Sequence, residues 1–419
     1  MNYSGVYKKR KFNSVAGNAV ESRMSIVELG LIAFFACYYL LPSFSLDVNF
    51  VAFLFVSSLY VLLISNEDIR LAKSVLIIVA ASAVISLLYI VLTETVSISA
   101  NASNLFLKRF LSKYNQNFSF FFPLFISERV VRNASYKQKK FLTLLFCALF
   151  AYVIVNTTIE LMENEGAARV WANFGEQNEN DVGTYAYIYA VPVVITAFVS
   201  LIFKTKITLY KTLLIIATVA LFIFLVMAQY TLALLIAVIG VVLQISKNLE
   251  KQTSKLMLWM VIIFLSLFLS RIIDFFASII PLQQVSIRLY EVADFFESGD
   301  ATGYNLNGRL TLYWKTIVAF VKSPIIGNEY LGFDGHATLL TIPANIGIFG
   351  GLLFYWMLKE GRTRMRGILG KNDKQFVSVF ACLIIMGFTN PIHGALPLAF
   401  ASWVIAPMIV YMIGNKNET

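Results

Sequence analysis

SIRLYEVADFFESGDATGYNLNGRLTLYWKTIVAFVKSPIIGNEYLGFDGHATLLTIPANIGIFGGLLFYWML, residues 286–358, is the stretch that decides the fold. Its last 22 residues, Ala337 to Leu358, carry no charge. A run of that length crosses a hydrocarbon layer of roughly 30 Å as a helix. The part before it, up to His336, is a long polar segment broken by aromatic residues, with arginines at 288 and 309. A polar loop feeding an uncharged span is the signature of a helical membrane protein, and the rest of the chain repeats it.

Of the 419 residues, 58% are hydrophobic and 14% charged, and the mean hydropathy is +0.73. Soluble domains carry roughly a quarter of charged residues, so the composition excludes that class. In lipid each backbone polar group must be satisfied within its own segment, which requires helices rather than open strands. The expected fold is all-α: one polytopic membrane domain over 1–419, with about twelve spans. These are placed at about 25–43, 48–65, 72–92, 115–130, 141–159, 183–203, 208–228, 230–247, 256–276, 337–358, 375–392 and 396–413. The fourth is the least regular, being short and interrupted by Pro123. Lys8-Lys9-Arg10-Lys11 is followed by polar residues before the first span, which reads as an uncleaved anchor rather than a signal peptide.

Basic residues orient such a bundle, because cytoplasmic segments accumulate Lys and Arg. With 1–24 and 414–419 both placed in the cytoplasm, 25 of the 34 Lys and Arg fall on the cytoplasmic side. The net charge of +10 then serves orientation and contact with anionic lipid, and no nucleic acid is expected as a partner. Cys37, Cys147 and Cys382 each lie in an apolar block without metal-type spacing, so they are read as buried small hydrophobes.

Three outward loops exceed a tight turn. The first, about 93–114, ends in Lys108, Arg109 and Lys113; the second, about 160–182, is acidic. The third, 277–336, is the long periplasmic loop between the ninth and tenth spans, and loops of that length are usually functional. Within it, Val285, Leu289, Val292 and Phe296 form a helical stripe, with Arg288 on another face. Asn307 is placed as the N-cap of a second helix, Gly308 to Val321, stopped by Ser323-Pro324. Its stripe of Leu310, Tyr313 or Trp314, Ile317 and Val321 is expected on the bilayer surface or the bundle rim.

Arg309 then falls in the first helical turn, where free N–H groups and a guanidinium fork suit a phosphate. The same position equally fits a solvated surface arginine. The chain has two histidines, His336 entering the tenth span and His393 in the turn TNPIHGALP, both at outward ends. Imidazole moves protons near neutral pH, so His336 reads either as a base or as an interfacial histidine bonded to its loop. Asp334 is a second acid–base candidate or a polar turn residue. No phosphate-binding glycine loop, GxSxG, HExxH or CxxC is present, and no cofactor or metal is expected.

The series Gly308-Arg309-Leu310, Trp314, Ser323-Pro324-Ile325-Ile326-Gly327, His336 and Gly347-Ile348-Phe349-Gly350-Gly351 resembles the signature region of the bacterial O-antigen polymerase (Wzy-type) and O-antigen ligase superfamily. A weaker echo is Gly175 to Asn180 before the sixth span. There are two departures: Ala337 follows the histidine where many members have Asn, and Gln229-Tyr230-Thr231 stands where many have a Ser-Arg pair. Arg271, Arg288 or Arg169 is the substitute for that arginine.

The resemblance implies an inverting, metal-independent glycosyl transfer at the periplasmic face of the inner membrane. The donor is a glycan on undecaprenyl pyrophosphate and the acceptor a sugar hydroxyl. It makes His336 and Arg309 catalytic, with Arg288, Arg271, Trp314, Tyr313, Asp334 and His393 contacting substrate. A chain-length regulator and a flippase are the implied partners. The polymerase is the first expectation, the ligase that moves glycan to lipid A core the second. A lipid-linked oligosaccharide flippase is the alternative of another class.

Overall fold

The computed structural model describes residues 24–93, 102–164, 181–249, 251–267, 269–279, 304–327 and 337–414, with 286, 287, 289, 290, 293 and 294. Among these every regular element is helical. In chain order they are α1 (Ile26–Leu40), α2 (Pro42–Asp47), α3 (Phe50–Ser65), α4 (Ile69–Thr93), α5 (Ala102–Asn133), α6 (Tyr136–Glu163), α7 (Tyr185–Lys204) and α8 (Thr208–Met227). They continue with α9 (Thr231–Asn248), α10 (Gln252–Leu267), α11 (Leu269–Ile279), α12 (Tyr304–Lys322), α13 (Thr338–Leu369), α14 (Asp373–Thr389), α15 (Leu396–Phe400) and α16 (Ala406–Gly414). A π-helical turn, Ala401–Ile405, joins the last two.

The starts follow local chemistry. Ser25 accepts from the Glu28 N–H at 3.1 Å and Asn49 from the Ala52 N–H at 2.9 Å, each occupying one free donor of a helix N-terminus. Ser135 and Gln138 form a reciprocal capping box at α6. Among the described residues six helical stretches are long and apolar enough to cross a membrane: α4, α6, α7, α8, α9 and the stretch Thr338–Thr389, which holds α13 and α14. Ile26–Leu40, Phe50–Ser65 and Leu396–Met412 are shorter apolar helices. Large apolar side chains such as Phe55, Leu62, Ile216 and Leu352 point outward from them. Such a surface is stable against hydrocarbon and not against water, so the chain is a helical membrane protein.

Two helices run through the interior. Residues 186–197 of α7 and 117–131 of α5 are buried throughout. α5 corrects the expectation of a short, interrupted fourth span: it is one helix of 32 residues with Pro123 inside it. It is the least apolar of the long helices because protein surrounds it, so its length need not be hydrophobic. Packed on it are Phe35, Tyr60 and Phe53 around Phe122, and Phe354 and Trp403 around Phe121. Edge-on and tilted rings of this kind add to the burial of large apolar surface. Of the cysteines Cys382 is buried, whereas Cys37 and Cys147 are only partly so.

α13 is broken within its length. Ile346 (φ −123°, ψ 17°) and Gly347 (φ 72°, ψ −177°) leave helical geometry nine residues after its start. The turn Ser323–Gly327 fills the break: Pro324 O accepts from the Ile348 N–H at 2.8 Å. Gly347 has the left-handed φ, and a Cβ there would overlap the carbonyl of Ile325; a Cβ at Gly327 (φ 86°) would overlap that of Asn345. The two glycine motifs that stand apart in sequence are therefore one packed unit.

Candidate functional site

The end of the bundle that holds the turn 390–395 gathers polar side chains. Thr338, the first residue of α13, fixes that turn: its N–H donates to Asn390 O at 3.2 Å, and its Oγ1 accepts from the Ile392 N–H at 2.8 Å. The same oxygen shares a 2.7 Å hydrogen bond with His393 Nδ1, which leaves Nε2 as the ring nitrogen not engaged by Thr338. Burial, and then the Lys113 ammonium, push the His393 pKa down to about 4. The imidazole is neutral at physiological pH.

Lys113 enters from α5. Its Nζ stands 4.6 Å over the Tyr89 ring, and the Tyr89 hydroxyl accepts from Asn345 Nδ2 at 3.4 Å. Asn345 is the residue immediately before the break in α13, so the fault in that helix delivers its amide to the cluster. Its Oδ1 is buried without a hydrogen-bond partner among the described residues, and so is Oε1 of Gln116, one turn beyond Lys113. Gln116 lies under Gly394, where any side chain would press on its Cγ. Two unpaired buried amide oxygens beside a cation and a neutral imidazole are costly to maintain, each worth about 1–3 kcal/mol. Such groups mark places where a ligand or water completes the bonding.

Against the expected residues the outcome is mixed. His336, Asp334 and Arg288 lie outside the described residues, as do Arg169 and the Gly175–Asn180 turn. Arg309 is on α12, but that helix begins at Tyr304, so Asn307 lies inside the helix and does not cap it. Arg309 is thus the sixth helical residue, past the free N–H groups that were to share its anion. Tyr313 turns inward and donates to Thr389 O at 3.1 Å, whereas Trp314 faces outward. Arg271 sits exposed on α11. His393 is in the cluster, and Ala337 and Thr338 bring the chain that follows His336 to within two residues of its bonding network. Gln229 is buried in a left-handed conformation (φ 58°) at the turn into α9, with Tyr230 edge-on to Tyr189 at 5.8 Å. Strained backbone at a non-glycine residue is typical of functional turns.

Lys113, Gln116, Tyr89 and Asn345 were not singled out. Lys113 read as the last charge of a loop. The signal was the run Lys113-Tyr114-Asn115-Gln116-Asn117, polar residues opening what was taken for a membrane span.

The opposite end carries a second set of charges. Arg129 on α5 is bound bidentately to Glu28 of α1 (Nε–Oε1 2.6 Å, Nη2–Oε2 3.2 Å) and also pairs with Glu67. Glu128 binds Arg132 at 2.6 Å and Arg364 at 3.0 Å, and Arg364 Nη2 donates to Ser74 Oγ at 2.7 Å. These charges are paired across α1, α4, α5 and α13. Beside the cluster, along α13 and α14, runs an apolar groove of about 310 Å³ that includes Leu339, Pro343, Leu352 and Phe388. No group of three or more metal-ligating side chains occurs among the described residues. No family model, curated protein sequence or solved structure matches the chain.

Proposed function

We propose that the chain is a membrane glycosyltransferase that polymerises surface polysaccharide from repeat units carried on undecaprenyl pyrophosphate. In this reading α1, α3 to α9, α10 with α11, α13, α14 and α15 with α16 make twelve crossings of the bacterial inner membrane. Both termini are cytoplasmic and the His393 end faces the periplasm. The observation that carries the reading is the convergence of Lys113, His393 and the unpaired oxygen of Gln116 at the end of the bundle where α13 begins, with the unpaired oxygen of Asn345 about 10 Å further along α13. The sequence resemblance supplies the reaction class.

The chemistry suits those groups. The acceptor hydroxyl attacks the anomeric carbon of the donor as the bond to the pyrophosphate oxygen breaks, with inversion. The departing pyrophosphate takes the bonding electrons, and Lys113 with Arg309 and Arg288 stabilises the charge it gains. His336 takes the hydroxyl proton. The open amide oxygens accept from sugar hydroxyls, and neutral His393, held by Thr338, accepts or donates at Nε2 as its tautomer allows.

The test is lipopolysaccharide banding in cells lacking the protein, complemented with wild type, His336→Ala or Arg309→Ala. A polymerase gives loss of the ladder with a single repeat unit retained, in the null and in both variants. Loss of that single unit as well identifies a ligase, and an unchanged ladder in both variants removes the assigned site. A flippase reading is favoured by one observation, the buried polar line Asn117, Ser119, Ser127, Glu128 and Arg129 along α5. It requires lipid-linked units to accumulate on the cytoplasmic leaflet in the null.

A further inference from the structure

We infer that α12 and the turn Ser323–Gly327 form a re-entrant membrane segment whose outer face is in contact with phospholipid acyl chains, rather than a helix lying on the bilayer surface. Two anchors fix its slope. Tyr313 donates to Thr389 O at the last residue of α14, level with Thr338, whose N–H bonds the neighbouring Asn390 O. Eleven residues later Pro324 O accepts from the Ile348 N–H, and Gly327 lies against Asn345.

At about 1.5 Å of rise per residue, Asn345, the last helical residue before the break in α13, is roughly 10 Å from Thr338, and Lys322, the end of α12, is roughly 13 Å from Tyr313, within one turn of each other. The two distances agree, so α12 descends alongside α13 instead of crossing it at the rim. Its tip, against Asn345, reaches about a third of the depth of a roughly 30 Å hydrocarbon layer. Residue 337 is back at the rim, so the chain enters and leaves by the same face.

The burial pattern states what covers the segment. Thr316 and Ala319 face the protein, while Trp314 (66% exposed), Val321 (69%), Ile325 (63%) and Ile326 face away from it. That outward apolar face is continuous with Phe349, Leu352 and Tyr355 of α13, which is apolar enough to cross a membrane and is exposed on the same stretch. From Thr316 to Gly327 the one charge is Lys322, which is exposed and long enough to carry its ammonium toward the headgroups. The irregular backbone of the tip lies against the break in α13, the condition under which non-helical chain is tolerated at membrane depth.

The experiment uses the full chain in liposomes, with its three cysteines replaced by alanine and single spin labels at Leu310, Val321, Ile325 or Leu352. Collisions with oxygen and with a water-soluble nickel chelate give the depth of each label. The expected result is that Val321 and Ile325 match Leu352, with high oxygen and low nickel collision, and that Leu310 is shallower. Labels at 321 and 325 as open to nickel as Leu310 would overturn the inference, and so would labels closed to both probes, which a protein partner over the face would produce. A photoreactive diazirine residue at 325 in the chain with its native cysteines gives an independent reading. A phospholipid adduct is expected, and adducts only with water or protein contradict it.

Discussion

The two ends of the bundle differ in which buried groups they pair, although both hold buried polar atoms without a partner among the described residues, Arg129 Nη1 at one and Asn345 Oδ1 at the other. At one, Glu28 and Arg129, each 1% exposed, share two hydrogen bonds, and Glu67, Glu128, Arg132 and Arg364 extend the pairing. At the other, Lys113 and His393 lie beside amide oxygens of Asn345 and Gln116 that have no partner among the described residues. The paired carboxylates of Glu28 and Glu128 join helices through Arg129, Arg132 and Arg364. At the other end Thr338 still ties the turn together, and only the unpaired amide oxygens contribute no stability until something fills them. The proposed function takes the Arg129 end as architecture and the His393 end as the place of chemistry, and each half of that proposal can be broken separately.

The largest effect is expected at the paired end. Arg129→Ala leaves Glu28 buried without a counter-charge, a loss of about 3–5 kcal/mol. It should appear as a lower melting temperature in detergent and a lower yield of folded protein. Replacing Arg129 and Glu28 together by Met should recover most of that loss, because apolar pairs of similar volume replace buried ion pairs with little cost. If the single variant melts like wild type, the network is not a staple.

Next is Gly347→Ala. The left-handed backbone alone costs about 1–2 kcal/mol, and overlap with Ile325 O adds to it. Melting should fall, and the depth of a label at Ile325 should change with it. An unchanged label would separate the turn from the break.

Acidification separates the ends by pH. The folded-state pKa of His393 lies below its ordinary value of 6.5, so the unfolded chain binds the extra proton first. The stability it contributes is complete above about 6.5 and is lost as pH falls toward about 4. His393→Asn should flatten the melting temperature over that window while leaving the Arg129 network's contribution in place. The smallest effect is Tyr313→Phe, which removes one hydrogen bond worth about 0.5–1.5 kcal/mol.

Much of the bundle was legible because lipid-facing helices announce themselves by uncharged length, and a helix lies in each of the twelve expected intervals. α5 was the hard case for the same reason. A helix enclosed by protein obeys no hydropathy rule, and Pro123 near its middle reads as a stop although it sits inside continuous helix. Ion pairs such as Glu28 with Arg129, 101 residues apart, leave no local trace.

The candidate site was half visible. A histidine in a short turn between spans, His393, stands out in a chain with only two. Lys113 becomes meaningful only when Tyr89 and Asn345 are brought to it by α4 and α13. The expected helix over 308–321 is five residues shorter than α12, which starts one turn earlier at Tyr304, and its slope depends on where Pro324 docks, which no spacing discloses.

The central claim is that the His393 end is where glycan is joined, and Lys113→Met tests it most directly. The variant is expressed in cells lacking the protein, its membrane level and melting temperature are matched to wild type, and the lipopolysaccharide ladder is resolved. The account predicts collapse of the ladder to a single repeat unit with the protein folded and present. A full-length ladder from that folded variant would contradict it.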